Sequence, residues 1–98
     1  MPASPRDPAR AGLWLVEYGW SPDDSERVRT VYDAHRANTD RLGAAGRLLL
    51  IGTIDLTHAM AVLTDEGAAR SFVANDPLVG SEIVTTVTVK RWSTLRYV

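Results

Sequence analysis

The sequence predicts an α+β domain in which two helices cover one face of a four-stranded antiparallel sheet. Two stretches carry apolar residues at three- and four-residue steps, which is the period of an amphipathic helix. Four stretches rich in apolar or β-branched residues lie before, between and after them. The resulting order, strand-helix-strand-strand-helix-strand, is that of the ferredoxin-like βαββαβ fold.

The first predicted strand covers residues 12–18 and is apolar on both faces. Side chains alternate along a strand, so Trp14, Val16 and Tyr18 share one face and two leucines share the other. In this fold the first strand is central. We expect Trp14, Val16 and Tyr18 to lie on the face away from the helices, where an uncovered apolar surface marks an interface. This predicts a homodimer with sheets packed face to face, of the dimeric α/β-barrel kind.

A long helix follows the first strand. The Ser-Pro-Asp-Asp-Ser cluster at residues 21–25 is typical of a helix start, and an apolar stripe continues to Ala45. The stripe changes position near Tyr32-Asp33, which predicts a short helical piece followed by a longer one. Gly46 is the predicted stop, because glycine adopts the left-handed conformation freely.

The second half of the chain predicts a hairpin, a helix and a closing strand. Two apolar runs, residues 48–52 and 58–64, flank a short turn. Thr64 or Asp65 caps a helix that reaches about Asn75. The Asp76-Pro77 pair ends this helix, because a residue before proline disfavours the helical conformation. A final β-branched strand covers residues 84–92.

Composition limits the partners and the compartment. The 98 residues form one domain, with residues 1–10 as a disordered tail and residues 11–98 as the folded part. A net charge of −1 argues against a nucleic-acid partner. The absence of cysteine excludes disulfides, thiolate catalysis and cysteine-type zinc sites. No apolar run approaches the ~20 residues of a membrane span, so we expect a cytoplasmic protein without a membrane partner.

Three blocks, in fixed order, carry a resemblance to a known family. They are His35-x10-Gly46-Arg-Leu-Leu-x2-Gly52, Phe72-x3-Asp76-Pro77 and Val87-Thr-Val-Lys-Arg-Trp92. Together they resemble the YciI-like (YCII-related) proteins over residues 12–92. Thr53 departs from the family pattern, where a proline is usual, and the loop at residues 53–57 is shorter than in many members.

The resemblance implies a ferredoxin-like fold, dimeric α/β barrels and an active site built on a histidine and an aspartate. By position these two residues are His35 and Asp76. One relative is a dechlorinating enzyme of aromatic breakdown, and muconolactone isomerases share the architecture. The resemblance therefore implies lyase, isomerase or dehalogenase chemistry without a cofactor, on a small molecule that the sequence does not identify.

Elementary chemistry indicates acid–base catalysis for a histidine and an aspartate in contact. A carboxylate beside an imidazole holds one tautomer and stabilises the imidazolium. The antiparallel helices of the fold bring the early part of the first helix near the end of the second. The alternative for His35 is a packed, hydrogen-bonded residue, and the alternative for Asp76 is a local turn residue that bonds backbone.

Other polar and aromatic residues have simpler interpretations. His58 is read as structural, and two histidines this far apart match no compact metal-ligand spacing, so neither a metal nor a cofactor is expected. Trp14, Tyr18 and Trp92 are assigned to the core or an interface, with an aromatic-accepting pocket as the alternative. Two further side chains, those of Arg47 and Arg91, are read as solvated charges rather than as an anion site.

Two functions from different classes remain open. The first is a small cofactor-independent enzyme that uses His35 and Asp76 for acid–base chemistry. The second is a non-catalytic dimer that binds a small ligand or serves as an accessory subunit. An enzyme requires the two side chains within hydrogen-bond distance and open to a cavity.

Overall fold

The computed structural model describes residues 9–97 and has the predicted order of elements. The elements are β1 (Ala9–Trp20), α1 (Ser25–Ala44), β2 (Leu48–Ile54), β3 (His58–Leu63), α2 (Glu66–Ala74), the single turn α3 (Pro77–Gly80) and β4 (Val84–Arg96). The strands lie in the order β2-β3-β1-β4 and every neighbouring pair is antiparallel. With the helices on one side, this confirms the ferredoxin-like α+β fold.

The N-terminal boundary differs from the prediction. Residues 1–8 of the predicted tail lie outside the described residues, and β1 begins at Ala9 rather than at residue 12. Pairing with β4 extends this strand, since Ala9 lies opposite Arg96. Within residues 9–97 no helix is long and apolar enough to cross a membrane.

Helix α1 is continuous, so the predicted break near Tyr32-Asp33 is wrong. The change in the apolar stripe has another cause, because Tyr32 lines an open groove instead of packing in the core. Gly46 ends the helix as predicted, with a φ of 72°. The Arg47 amide then donates to the Leu42 carbonyl at 2.9 Å and closes the last turn.

The structure reverses the predicted faces of β1. Val16 and Tyr18 are 1% and 4% exposed and belong to the core beneath the helices, with Trp14 packed against it. The alternating residues Leu13 and Leu15 therefore lie on the uncovered face. The reason is that both faces of β1 are apolar, so periodicity alone does not say which face the helices cover.

The uncovered face is nevertheless apolar in part. Leu13 lies opposite Trp92 on β4, and Leu15 lies opposite Val62 on β3, which pairs in turn with Leu50 on β2. Trp92 and Leu50 are 47% and 69% exposed. The predicted homodimer stays a prediction, and this is the face that would form it.

Candidate active site

A groove runs between α1 and the β2 side of the sheet, with a volume of about 680 Å³. Its floor contains Ala59 and Ala61 of β3, whose methyl side chains leave space beneath the helix. Helix α1 does not cover β2, so Leu49 and Ile51 remain 49% and 40% exposed. Small residues in the floor and an uncovered edge strand therefore create the cavity.

His35 of α1 and Asp76 are in contact in this region. The His35 Nδ1 atom lies 3.0 Å from each carboxylate oxygen of Asp76. The His35 side chain is 14% exposed and lines the groove, whereas the Asp76 side chain is fully buried behind it. The structure thus brings together the two residues that the sequence selected, and their catalytic role remains a prediction.

Two more donors complete the environment of the Asp76 carboxylate. The Leu78 amide donates to Oδ1 at 3.0 Å, and the Tyr18 hydroxyl donates to Oδ2 at 3.0 Å. An ionised carboxylate only accepts hydrogen bonds, and these two donors, with His35 Nδ1–H as a third in the matching tautomer, suit an acceptor at this position. Burial, and next the neighbouring Asp76 charge, raise the pKa of the Tyr18 hydroxyl far above its ordinary value, so this group remains a donor.

Local chain geometry explains why Asp76 points inward. Asp76 is the N-cap of α3, with extended backbone angles, and its side chain accepts the Leu78 amide as N-cap side chains do. Pro77 occupies the first turn, where its missing N–H costs nothing. The predicted Asp-Pro corner therefore places the carboxylate next to the helix that carries His35.

A buried amide joins the two long helices close to the site. Asn38, one turn after His35, is 7% exposed, and its Nδ2 donates to the Phe72 carbonyl at 3.0 Å. The Phe72 ring meets the His35 ring edge-on, with centroids 6.3 Å apart. The spacing between α1 and α2 is thus fixed beside the histidine.

The free nitrogen of His35 faces the groove. Within residues 9–97, His35 Nε2 makes no hydrogen bond with protein, and no described buried side-chain nitrogen or oxygen lacks a partner. Nε2 is therefore accessible from the groove that His35 lines. In the tautomer that carries its proton on Nδ1, the ring donates to the Asp76 carboxylate and presents the Nε2 lone pair to a bound molecule.

The groove offers little net charge to a ligand. Among the described residues, its charged or titratable lining consists of His35, Arg36, Asp40 and two tyrosines. The Arg36 Nε donates to Asp40 at 3.0 Å, and this bond, with a smaller effect from Tyr32, raises the pKa of the guanidinium. Since the two opposite charges are paired, the remaining surface is mainly apolar.

Several other predicted candidates lie elsewhere. His58 lies on the uncovered face opposite Gly19, with Nδ1 3.0 Å from the Thr57 hydroxyl, and does not line the groove. Arg47 pairs with Asp65 at 3.0 Å beside α2. Arg91, Trp14 and Trp92 also lie outside the groove lining.

The groove also contains two residues that the sequence did not assign to the site, Thr53 and Tyr18. Thr53, at the start of the short loop, lines the groove, while the rest of that loop does not. Tyr18 belongs to the core, as one of its predicted assignments had it, and it also lines the groove and donates to Asp76. One signal was available for Tyr18, because a tyrosine on an inner strand face requires a partner for its hydroxyl.

Comparison with family models adds an identification. The model of the YCII-related domain matches residues 13–93. The chain belongs to the YCII-related domain family. The match spans the groove, His35 and Asp76, and it confirms the resemblance seen in the sequence.

A solved structure supports the fold of this YCII-related domain. The chain superimposes on 5-chloro-2-hydroxyhydroquinone dehydrochlorinase from Burkholderia phenoliruptrix, in complex with 2,5-dihydroxybenzoquinone, with a TM-score of 0.70. The two sequences are 24% identical, and the alignment covers 82% of this chain and 92% of the dehydrochlorinase. No curated protein matches the chain in sequence.

Proposed function

We propose that this YCII-related domain is a small cofactor-independent enzyme that performs acid–base chemistry with His35. The observation that carries the proposal is the arrangement of the ring. Nδ1 lies 3.0 Å from a fully buried carboxylate, while Nε2 is open to a largely apolar groove. Of the two functions left open by the sequence, the enzyme is the one that requires this arrangement.

The proposed reaction starts with Nε2 as a general base. It removes a proton from a carbon adjacent to a carbonyl or, in the ketone tautomer of a chlorinated hydroquinone, from a hydroxyl conjugated with that carbonyl. The electron pair released by this proton forms a new double bond, and either a leaving group such as chloride departs or an existing double bond shifts. Asp76 stabilises the imidazolium that forms. The imidazolium then returns its proton to the substrate or to solvent. Acid–base assistance of this kind accelerates reactions by about 10²- to 10⁴-fold.

The groove supports a small, uncharged and ring-sized substrate. Its arginine is already paired with Asp40, so no free cation among the described lining residues is available for a carboxylate or phosphate. The structurally similar dehydrochlorinase is named for a chlorinated hydroxyhydroquinone and was solved with 2,5-dihydroxybenzoquinone, and each of these molecules is a single six-membered ring. We therefore propose elimination or isomerisation on such a molecule, with dehydrohalogenation as the first reaction to examine.

The test compares two histidine variants. Chloride release from 5-chloro-2-hydroxyhydroquinone and NMR-detected deuterium exchange in cyclic ketones and lactones are measured for wild type, His35→Gln and His58→Gln. We expect His35→Gln to lose about 10²- to 10⁴-fold in rate. His58→Gln is the matched control, because His58 lies outside the groove. Equal rates in wild type and His35→Gln would remove the assignment.

The second function remains a defined alternative. A dimeric small-ligand binder or accessory subunit could use the same groove without proton transfer. In that case, a calorimetric titration of the wild-type protein would show binding of quinones or lactones, but the protein would promote no deuterium exchange in them. The accessible Nε2 atom favours the enzyme, since simple binding needs no unpaired base.

We propose in addition that the chain forms a homodimer through the uncovered sheet face. Leu13, Leu15 and Trp92 form an apolar strip there, beside the exposed Leu50. Apolar area of this kind marks association surfaces. A domain of this size also buries only roughly two-thirds of its unfolded surface, so a second subunit would add stability.

A further inference from the structure

The Asp76 carboxylate is held from two opposite sides. The Leu78 amide holds Oδ1 and the Tyr18 hydroxyl holds Oδ2, both at 3.0 Å. Between these anchors, His35 Nδ1 is equidistant from the two oxygens, at 3.0 Å from each. A carboxylate held at only one oxygen would be free to rotate about its Cβ–Cγ bond, since this terminal torsion is broad.

The Tyr18 anchor is itself rigid. Tyr18 lies in the central strand, paired with Ala59 on one side and Val87 on the other. Its ring stacks on Phe72, with centroids 5.8 Å apart and planes 23° apart. The hydroxyl therefore comes from a fixed point of the sheet, whereas Asp76 and His35 come from the helical layer.

We propose that Tyr18 is a positioning residue of this site, which orients the Asp76 carboxylate so that the Nδ1 proton stays on His35. The hydroxyl has no second partner among the described residues, and its bond is directed at the one buried carboxylate of that region. Tyr18 acts through Asp76 and does not exchange the proton with substrate. Only the kinetic part of this inference rests on the proposed function of His35.

The Tyr18 hydroxyl also weakens the electrostatic effect of the Asp76 carboxylate on His35. A hydrogen bond to a carboxylate spreads its negative charge, which weakens its attraction for the imidazolium. The other ionisable groups near His35 are Tyr32, Arg36 and Asp40 on its own helix, and the last two neutralise each other. No described groove residue of β2, β3 or α2 is ionisable, so the Asp76–Tyr18 pair dominates.

The decisive variant is Tyr18→Phe, which removes one hydroxyl and keeps the ring. Without that donor, the carboxylate attracts the imidazolium more strongly, so His35 should keep its proton to higher pH than in wild type. At high pH, where the ring is neutral, the ¹⁵N spectrum should show a mixture of tautomers in place of the Nδ1–H form. The reason is that a carboxylate held only by the Leu78 amide can rotate away from Nδ1, whereas its attraction for a charged imidazolium depends little on that rotation. If turnover is found, the acidic limb of kcat/KM should move to higher pH by the same amount.

The measurement is an NMR titration of the imidazole protons. The chain has two histidines, and His58→Gln assigns them without ambiguity. Tyr97→Phe is the matched control, since Tyr97 is 76% exposed and does not line the groove. We expect its His35 titration to equal that of wild type.

A second variant keeps the test independent of folding. Site-specific 3-fluorotyrosine at Tyr18 retains the ring and the hydroxyl but makes the hydroxyl a stronger donor, so the pKa of His35 should fall. Opposite shifts in the two variants would support the proposal, and if Tyr18→Phe does not fold the downward shift alone supports it. An unchanged or oppositely shifted pKa overturns it. These titrations need no substrate, so they stand or fall separately from the activity of His35.

Discussion

Asp76 is expected to stabilise the fold as well as the proposed site, and Asp76→Ala separates these contributions. The variant removes the N-cap of α3, which costs about 1 kcal/mol. It also leaves the buried Tyr18 hydroxyl without its acceptor, which costs about 1–3 kcal/mol. Deleting a buried carboxylate relieves some desolvation, so we expect a net loss of about 2–3 kcal/mol in the free energy of unfolding.

The assay is urea unfolding followed by circular dichroism, with a thermal melt as a second measurement. For a domain of this length each kcal/mol lowers Tm by about 4–8 °C, so Asp76→Ala should melt roughly 10–20 °C below wild type. The slope of the urea transition should stay unchanged, because the fold and its buried surface are retained.

Asp65→Ala provides a matched control for this measurement. Asp65 also caps a helix, with its carboxylate accepting the Ala68 amide at 2.8 Å, but its side chain is 52% exposed. Its removal therefore loses a cap without leaving a buried hydroxyl unpaired. A loss for Asp76→Ala no greater than that for Asp65→Ala would refute the reasoning about the buried Tyr18–Asp76 bond.

Three further outcomes are expected. Asn38→Ala leaves a buried carbonyl of α2 without its donor, so it should lower the free energy of unfolding in urea by about 1–3 kcal/mol. The control Asn75→Ala, which removes an amide that bonds an exposed carbonyl, should lower it by less. The Ala68 amide, followed by Arg47, lowers the pKa of Asp65 from 3.8 to about 2. The stability from this group is present above pH 4 and is lost as the pH falls towards 2, so Asp65→Asn should flatten the urea-stability profile over that window. If the uncovered face forms the homodimer, Leu15→Glu should give the mass of a monomer by light scattering at micromolar protein. The control Leu56→Glu, in the exposed turn after β2, should still give the mass of a dimer. A dimeric Leu15→Glu variant would contradict this interface.

Much of the fold follows from local signals in the sequence. The helix periods, the Asp65 cap, the Gly46 stop and the Asp-Pro corner each act within a few residues, so they are readable without tertiary structure. The order of elements then fixes the topology, because few arrangements of βαββαβ are compatible with short connections. The break assigned to α1 was wrong because an irregular apolar stripe also results when a helix borders a groove.

Some residues of the candidate site could be identified from the sequence, and one could not. His35 and Asp76 could be selected from the sequence, since a family pattern and an antiparallel pair of helices both place them together. For Tyr18 the sequence indicated only that a buried hydroxyl needs a partner, and it did not identify Asp76, which lies 58 positions away and is linked to Tyr18 by no family pattern. The contact also depends on which face of β1 the helices cover, and β1 is apolar on both.

The sequence by itself thus determined the order of strands and helices, the topology and the two residues of the proposed acid–base pair. Tertiary structure alone decided that Val16 and Tyr18 lie under the helices while Leu13 and Leu15 remain uncovered. It also decided that a groove opens beside His35. The physical reason is that periodicity records alternation along a strand, whereas the choice of face and the presence of a cavity depend on how distant side chains fill the space between helix and sheet.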